Sequence, residues 1–362
     1  MAASSSSGEG SLPPSVHALF QRRIEGDDAL LRLARLRFAE AGLAAEVYAD
    51  TPSQLETVLR FVPPESRPPM VHLNRAVNLL RERDRESVVD FASLFRGRVS
   101  GFVVHDQREM ATKIHDLVAA MRDLESRLTS RPDAPYVFLE YAAGLDTATF
   151  VEIAQRLRDA ERVSVCIDIG HVGIEEARRS FASWHPGLDL SRLAPQDARL
   201  PELVGDVQAA VALALPAVLG MTSAVGAIGK PVHFHLHDGH PIVPGLSDHF
   251  GFLTRVPIPF DYEGRRSLDP MYGPDGLDRI VGAVLRHCAA GQASLTLEIH
   301  QAEGRLPLGD AVRLFRHWQD LTNAERMNYW LSVLSENNVL VSSALRRHSA
   351  SPGDIGNDGP RD

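Results

Sequence analysis

The chain has 362 residues, of which 44% are hydrophobic and 23% charged. That is the composition of a soluble globular protein with a sizeable core, and it excludes a disordered, collagen-like or disulfide-stapled chain. Basic residues number 38 against 47 acidic ones, a net charge of −9, so no bulk basic footprint for nucleic acid or an anionic membrane is present.

Residues 1–16 are rich in Ser, Gly and Pro without an apolar run. They are expected to form a disordered tail and not a signal peptide, which needs a basic start and an apolar segment. Short β-type runs then alternate with longer segments of helical spacing. The expected strands are Ala45–Tyr48, Met70–Leu73, Gly101–His105, Tyr136–Glu140, Val163–Asp168, Val232–His237 and Ser294–Ile299, with a weak eighth around Val256–Phe260. Between them, Ser53–Phe61, Met110–Leu128, Asp146–Arg158 and Gly276–Cys288 repeat apolar residues every three or four positions. Such alternation implies right-handed crossovers and a parallel sheet. Eight strands point to an α/β fold, a (β/α)8 TIM barrel, as a single domain over 17–345. From Arg346 to Asp362 a second loose tail is expected.

The stretch from Val207 to Gly229 carries no charge and is long enough to cross a bilayer. It is mostly Ala, Gly and Val, is interrupted by Pro216 and contains Thr222 and Ser223, so a small-residue helix or helix pair packed closely on a sheet is the better reading. No membrane association is expected, and the cytoplasm is the expected location.

Cys166 and Cys288 are the only cysteines, too few for a disulfide framework or a thiolate metal site. Lys113 and Lys230 are the only lysines, and neither is placed for Schiff-base chemistry. The Gly226–Lys230 segment has the wrong spacing for a phosphate loop, and no dinucleotide-binding glycine pattern follows a strand.

The strands end in residues able to bind a metal: His72, His105-Asp106, Glu140, Asp168 with His171, His235-Leu236-His237-Asp238, and Glu298. Taken singly, a His or Glu after a strand is ordinarily a cap or a loop hydrogen-bonder. In a parallel barrel, however, all C-terminal strand ends surround one mouth. Several carboxylates and imidazoles gathered there would repel and strand one another unless a cation neutralised them. Mixed N/O donors suit Zn²⁺, Mn²⁺, Co²⁺ or Fe²⁺. His233, His235 and His237 share one strand face, and His233, the deepest, is expected to be a hydrogen-bonded core residue. Asp248-His249 adds a carboxylate and an imidazole on a long loop.

The combination Leu139-Glu140, Asp168-x-x-His171, His235-Leu236-x-Asp238 and Leu297-Glu298 resembles the xylose isomerase-like TIM-barrel superfamily, over roughly Ala45 to His300. That group includes sugar isomerases and epimerases together with apurinic-site nucleases of the endonuclease IV type. In the isomerase branch the resemblance implies a metal held by Glu140, Asp168, His235 and Glu298, with His171 beside the substrate oxygen. It implies proton transfer next to a carbonyl, one of Glu140 and Glu298 removing the proton and the other returning it. The nuclease branch would add His72, His105 and His171 as ligands, together with an Asp-x-His pair. Asp248 could start that pair, but Phe250 then occupies the histidine position and His249 is displaced by one.

The expected function is therefore a divalent-metal-dependent sugar or polyol isomerase or epimerase, acting on a small molecule and not on nucleic acid. The alternative is a multi-metal phosphodiester hydrolase, or a metal-dependent lyase or oxidase on the same barrel. His72, His105, His237, Asp248 and His249 are additional metal or substrate candidates. Homo-oligomers are common among such barrels, but the sequence marks no interface.

Overall fold

In the computed structural model, the described residues are 14–19, 27–63, 66–131, 133–193, 198–242, 249, 251–252, 270–298 and 322–349. Eight parallel strands close into a barrel in sequence order: β1 (Ser15–Leu19), β2 (Ala44–Ala49), β3 (Met70–Leu73), β4 (Gly101–His105), β5 (Tyr136–Glu140), β6 (Val163–Asp168), β7 (Val232–Leu236) and β8 (Ala293–Glu298). Closure is made by β1 on β8, from Ser15 opposite Ser294 to Leu19 opposite Glu298. The chain is a (β/α)8 barrel.

Two expectations about the ends need correction. The segment read as a tail through residue 16 already contains the start of β1, so the eighth strand comes first in the chain. Val256–Phe260 lies outside the described residues. At the other end, a helix runs Asn323–Ser349, past Arg346 where the second tail was expected to begin. Its last turn ties Arg347 and His348 to Asp278.

The outer layer comprises α1 (Asp28–Glu40), α2 (Pro52–Leu59), α3 (Glu82–Leu94), α4 (Ile114–Thr129), α5 (Thr147–Arg156), α6 (Ile169–Trp184), α7 (Leu200–Val211), α8 (Ala214–Gly226), α9 (Gly273–His287) and α10 (Asn323–Ser349). Local chemistry sets several starts. Asp27, Thr51 and Asp146 accept backbone N–H groups from the first turns of α1, α2 and α5, the usual N-cap device. The segment Pro201–Gly226 is apolar and long enough to cross a membrane. It is divided at Ala212–Leu213 into α7 and α8, which pack on α5, α6 and α9. Its small residues permit close approach: a Cβ on Gly226 would lie 2.8 Å from the backbone of His287.

Period-two alternation separates the two faces of each strand. Val71, Phe102, Val104, Leu139, Val165, Ile167, Phe234, Leu295 and Leu297 turn outward into the main core under the helices. Met70, Val103, Phe138 and Cys166 turn inward as a separate cluster. Gly101 makes room for this plug, since a Cβ there would lie 2.8 Å from the Phe138 ring. One two-residue step further along the same strands, the inward positions are His72, His105, Glu140 and Asp168.

Candidate metal centre

These strand ends meet at the mouth with His171, His235, His237, His249 and Glu298. Every one of them is buried except His105, which is nearly so. Three overlapping donor groups form, each with ligand atoms within 4.8 Å of one another: His72–His105–Glu140, Glu140–Asp168–His235, and Asp168–His171–His237–His249.

In the first group, His72 Nε2 lies 3.2 Å from His105 Nε2 and 3.3 Å from Glu140 Oε2, and His105 Nε2 lies 3.6 Å from that oxygen. A tetrahedral ion with ordinary nitrogen and oxygen ligands has ligand–ligand edges of about 3.3 Å. In the second, His235 Nδ1 lies 3.0 Å from Glu298 Oε2, 3.5 Å from Glu140 Oε1 and 3.9 Å from Asp168 Oδ2. In the third, His171 Nε2 and His249 Nε2 are 3.3 Å apart, and His237 Nε2 is 2.8 Å from Asp168 Oδ1. Glu140 thus gives one oxygen to each of two groups, and Asp168 likewise links the second and third.

Each of four histidines has one ring nitrogen on an acceptor and the other in the common space. His72 Nδ1 and His235 Nε2 donate to Glu46 Oε1, each at 3.1 Å. His171 Nδ1 faces the Tyr141 carbonyl at 3.3 Å and His237 Nδ1 the Asp238 carbonyl at 3.0 Å. This is how metal-binding imidazoles are oriented. Glu140 Oε2, Asp168 Oδ2 and His235 Nδ1 are buried without an aligned hydrogen-bond partner among the described residues. Orphaned donor atoms converging at these spacings fit divalent ions.

Electrostatics agree. Burial alone would push the Glu140 carboxyl up, but the imidazoles of His105, His235 and His72 outweigh it and hold the group well below the ordinary range. Glu298 is likewise held low against burial, by His249 and His235. Asp168, opposed by burial, is brought down to about 2 by His171 and His237. His72 is raised to about 9, because Glu140 and Glu46 outweigh its burial. Burial takes His105 the other way, to about 4, despite Glu140. Without an ion, the raised His72 offsets the neighbouring ionised acids, and a bound metal would take the place of its ring proton.

The backbone around the mouth is fixed by two aspartates that follow site histidines. Asp106 accepts N–H groups from Ala142, Gly144 and Leu145, holding a turn in which Ala143 has φ +58°. Asp238 accepts from Gly239, Tyr272 and Gly273, fixing the start of α9. Strand β6 passes directly into α6, with Asp168 as N-cap accepting from the His171 N–H at 2.8 Å. Gly170 lets the His237 ring lie against this turn, for a Cβ there would fall 1.8 Å from the ring.

The structure brings together Glu140, Asp168, His171, His235 and Glu298, and also His72, His105, His237 and His249. Asp248 lies outside the described residues. His233 is a core residue, as expected: its Nε2 donates to Glu46 and its Nδ1 accepts from Ser294 Oγ at 2.6 Å. Sequence reasoning missed Glu46, Tyr48 and Thr296. The Tyr48 ring lies tilted against His72, with centroids 5.0 Å apart, and its hydroxyl donates to Glu298 Oε1 at 3.5 Å. The available signal was a charge at an inward position of an otherwise apolar strand, Ala44–Ala49.

No protein-family model and no curated protein sequence matches this chain. Among solved structures, a thermostable mutant of a xylanase from Cellvibrio japonicus is 12% identical with a TM-score of 0.41, over 79% of this chain and 86% of that one. The carboxyl transferase domain from Rhizobium etli pyruvate carboxylase, with 3-bromopyruvate, is 11% identical with a TM-score of 0.38, over 91% of this chain and 49% of that one. DHODH from Eimeria tenella, in complex with ferulenol, is 9% identical with a TM-score of 0.30, over 88% and 76%. Likeness at this level carries nothing about activity. The fold rests on the closed strand order, and the chemistry on the buried His, Glu and Asp cluster, which could hold metal.

Proposed function

We propose that this chain is a multinuclear divalent-metal hydrolase of phosphate esters. The observation that carries the reading is the division of Glu140, whose Oε2 faces His72 and His105 while its Oε1 faces His235. A carboxylate split in this way suits close-set ions. Ions so held supply a nucleophile at neutral pH and steady the charge developing on a leaving oxygen. Zn²⁺, Mn²⁺, Co²⁺ or Fe²⁺ suits the mixed donors.

The chain's own residues set the geometry. Tyr48 steadies Glu298, while Asp106 and Asp238 fix the loops that carry the mouth. Arg75 is exposed on the rim, close enough to His105 to oppose its protonation, and supplies a positive charge for an anionic substrate. The net charge of −9 favours a small-molecule ester over a nucleic acid. The resemblance of the strand-end residues to the xylose isomerase-like superfamily, with its nuclease branch, is part of this reading.

A second reading, a sugar or polyol isomerase or epimerase, is favoured by Glu140 Oε1 and Glu298 Oε2. Both face His235 Nδ1, so two carboxylates flank one position, as proton removal and return require. Incubating the metal-loaded protein with a bis(nitrophenyl) phosphate ester, and separately with ketoses in deuterated water, distinguishes the two. Ester cleavage is expected, reduced by at least about a hundredfold in Glu298→Gln. Deuterium entering next to a ketose carbonyl without ester cleavage would transfer the assignment to the isomerase.

A further inference from the structure

Beneath the mouth lies one carboxylate whose hydrogen-bonding capacity is wholly used. Glu46, on β2, is fully buried inside the barrel. Its Oε1 accepts from His72 Nδ1 and His235 Nε2, each at 3.1 Å. Its Oε2 accepts from His233 Nε2 at 3.1 Å and from Thr296 Oγ1 at 2.5 Å. A carboxylate only accepts and offers about four lone-pair sites, so all three rings must donate to it. His233 passes the arrangement on to Ser294 Oγ at 2.6 Å, which anchors the carboxylate to β8.

The two rings on Oε1 come from opposite sides of the barrel, β3 and β7, and belong to different donor groups of the mouth. With Nδ1 bound below, His72 can show only Nε2 upward, and this nitrogen faces His105 and Glu140. With Nε2 bound below, His235 can show only Nδ1, which faces Glu298 and Glu140. We infer that Glu46 is a positioning residue shared by two metal-binding histidines, selecting Nε2 of His72 and Nδ1 of His235 as the ligating nitrogens without binding metal itself. The inference rests on the reading of the mouth as a metal centre and goes beyond it. It assigns opposite ring nitrogens of two histidines to one buried acceptor, and so couples neighbouring ion positions through the floor of the barrel. Glu46 belongs to the donor group Glu46–His72–His235 by proximity alone. Its hydrogen bonds to both rings leave its Oε1 already occupied.

The test loads native protein, Glu46→Gln and Glu46→Ala with NMR-active cadmium, with nitrogen-labelled histidines. Native protein should show cadmium–nitrogen coupling at His72 Nε2 and His235 Nδ1. In Glu46→Ala, cadmium affinity should fall by about ten- to a hundredfold, the usual effect of losing such a partner. The number of ions bound at saturation should stay unchanged, while coupling spreads to the other ring nitrogens. Glu46→Gln should lose less, because its amide oxygen can replace Oε1 beneath both rings and its volume is preserved. Coupling at His72 Nδ1 or His235 Nε2 in native protein would overturn the inference. So would loss of a whole ion in both variants, which would make Glu46 a ligand. Lowered thermal stability with unchanged cadmium affinity would reduce it to a packing role. Native protein that takes up no cadmium overturns the metal reading itself, and this inference with it.

Discussion

On β3 to β6 the lower and upper halves of the barrel interior lie two residues apart, one apolar and the other polar, while Glu46, His17 and His233 make the rest of the floor polar. Below, Met70, Val103, Phe138 and Cys166 form an apolar plug. Above, the next inward residues on those strands, His72, His105, Glu140 and Asp168, form the polar mouth. The contrast shows how a crowd of buried acids and imidazoles is tolerated. A close-packed floor fixes the strand ends, and the cost of burying charge is offset by interleaved opposite charges, to which any ion bound at the mouth would add.

The largest effect should come from the residue that joins the donor groups. Glu140→Ala should remove metal from both the His72–His105 and the His235 positions, as measured by elemental analysis. Turnover should fall on the order of a thousandfold, the scale of losing a group that acts on the reaction. One step down on the same strand, Phe138→Ala should destabilise the fold by about 3–5 kcal/mol, read by denaturant titration, with metal content per folded chain retained. Loss of metal in both variants would erase the distinction between plug and mouth.

A pH titration separates the floor from the mouth by another route. His17, at the floor, is held at about 4 chiefly by burial. His240, beyond the mouth, is held at about 3 by burial, and its Nδ1 accepts the Ile242 N–H at 3.3 Å. Both folded values lie below the unfolded one, so the unfolded chain takes up protons first as pH falls. Their contribution to stability should therefore be full above about pH 6.5 and decline below it, opposite in sign to that of His72, whose raised value gives stability that is lost as pH climbs towards about 9. Between about pH 7 and about pH 5 the loss should be about 2 kcal/mol per group, and His240→Asn should flatten its share of the slope. An acid-side slope left unchanged by His240→Asn would contradict this.

A smaller effect is expected at the rim. Asp106→Asn and Asp238→Asn each replace a carboxylate that gathers three backbone N–H groups with a side chain that has a single acceptor oxygen. A cost of about 1–3 kcal/mol is expected, with weakened but persistent metal binding. Complete loss of metal in either variant would make these aspartates ligands.

Much of this was legible in the sequence because seven strands alternate cleanly between outward apolar residues and inward ones, and because their ends carry acids and imidazoles in a recurring position. Strand β1, no shorter than β3, was hidden by the Ser- and Pro-rich run before it. Ser15 fell in the expected tail and His17 in no expected element, although His17 is buried inside the barrel with Nδ1 donating to the Ala45 carbonyl at 3.3 Å. Glu46 was hidden for a different reason. A lone charge within a strand ordinarily faces solvent, and only barrel closure brings His72, His233 and His235 around it. The sharing of Glu140 and Asp168 between donor groups depends on which oxygen faces which ring, and that is a matter of three-dimensional register alone.

Elemental analysis of the native protein, after incubation with zinc or manganese and removal of loose ions, tests the central claim most directly. More than one tightly held divalent ion per chain is predicted, with the count falling in His105→Ala while His235-side binding survives. A single ion per chain that is indifferent to His72→Ala and His105→Ala, or no ion at all, would contradict the shared-carboxylate centre.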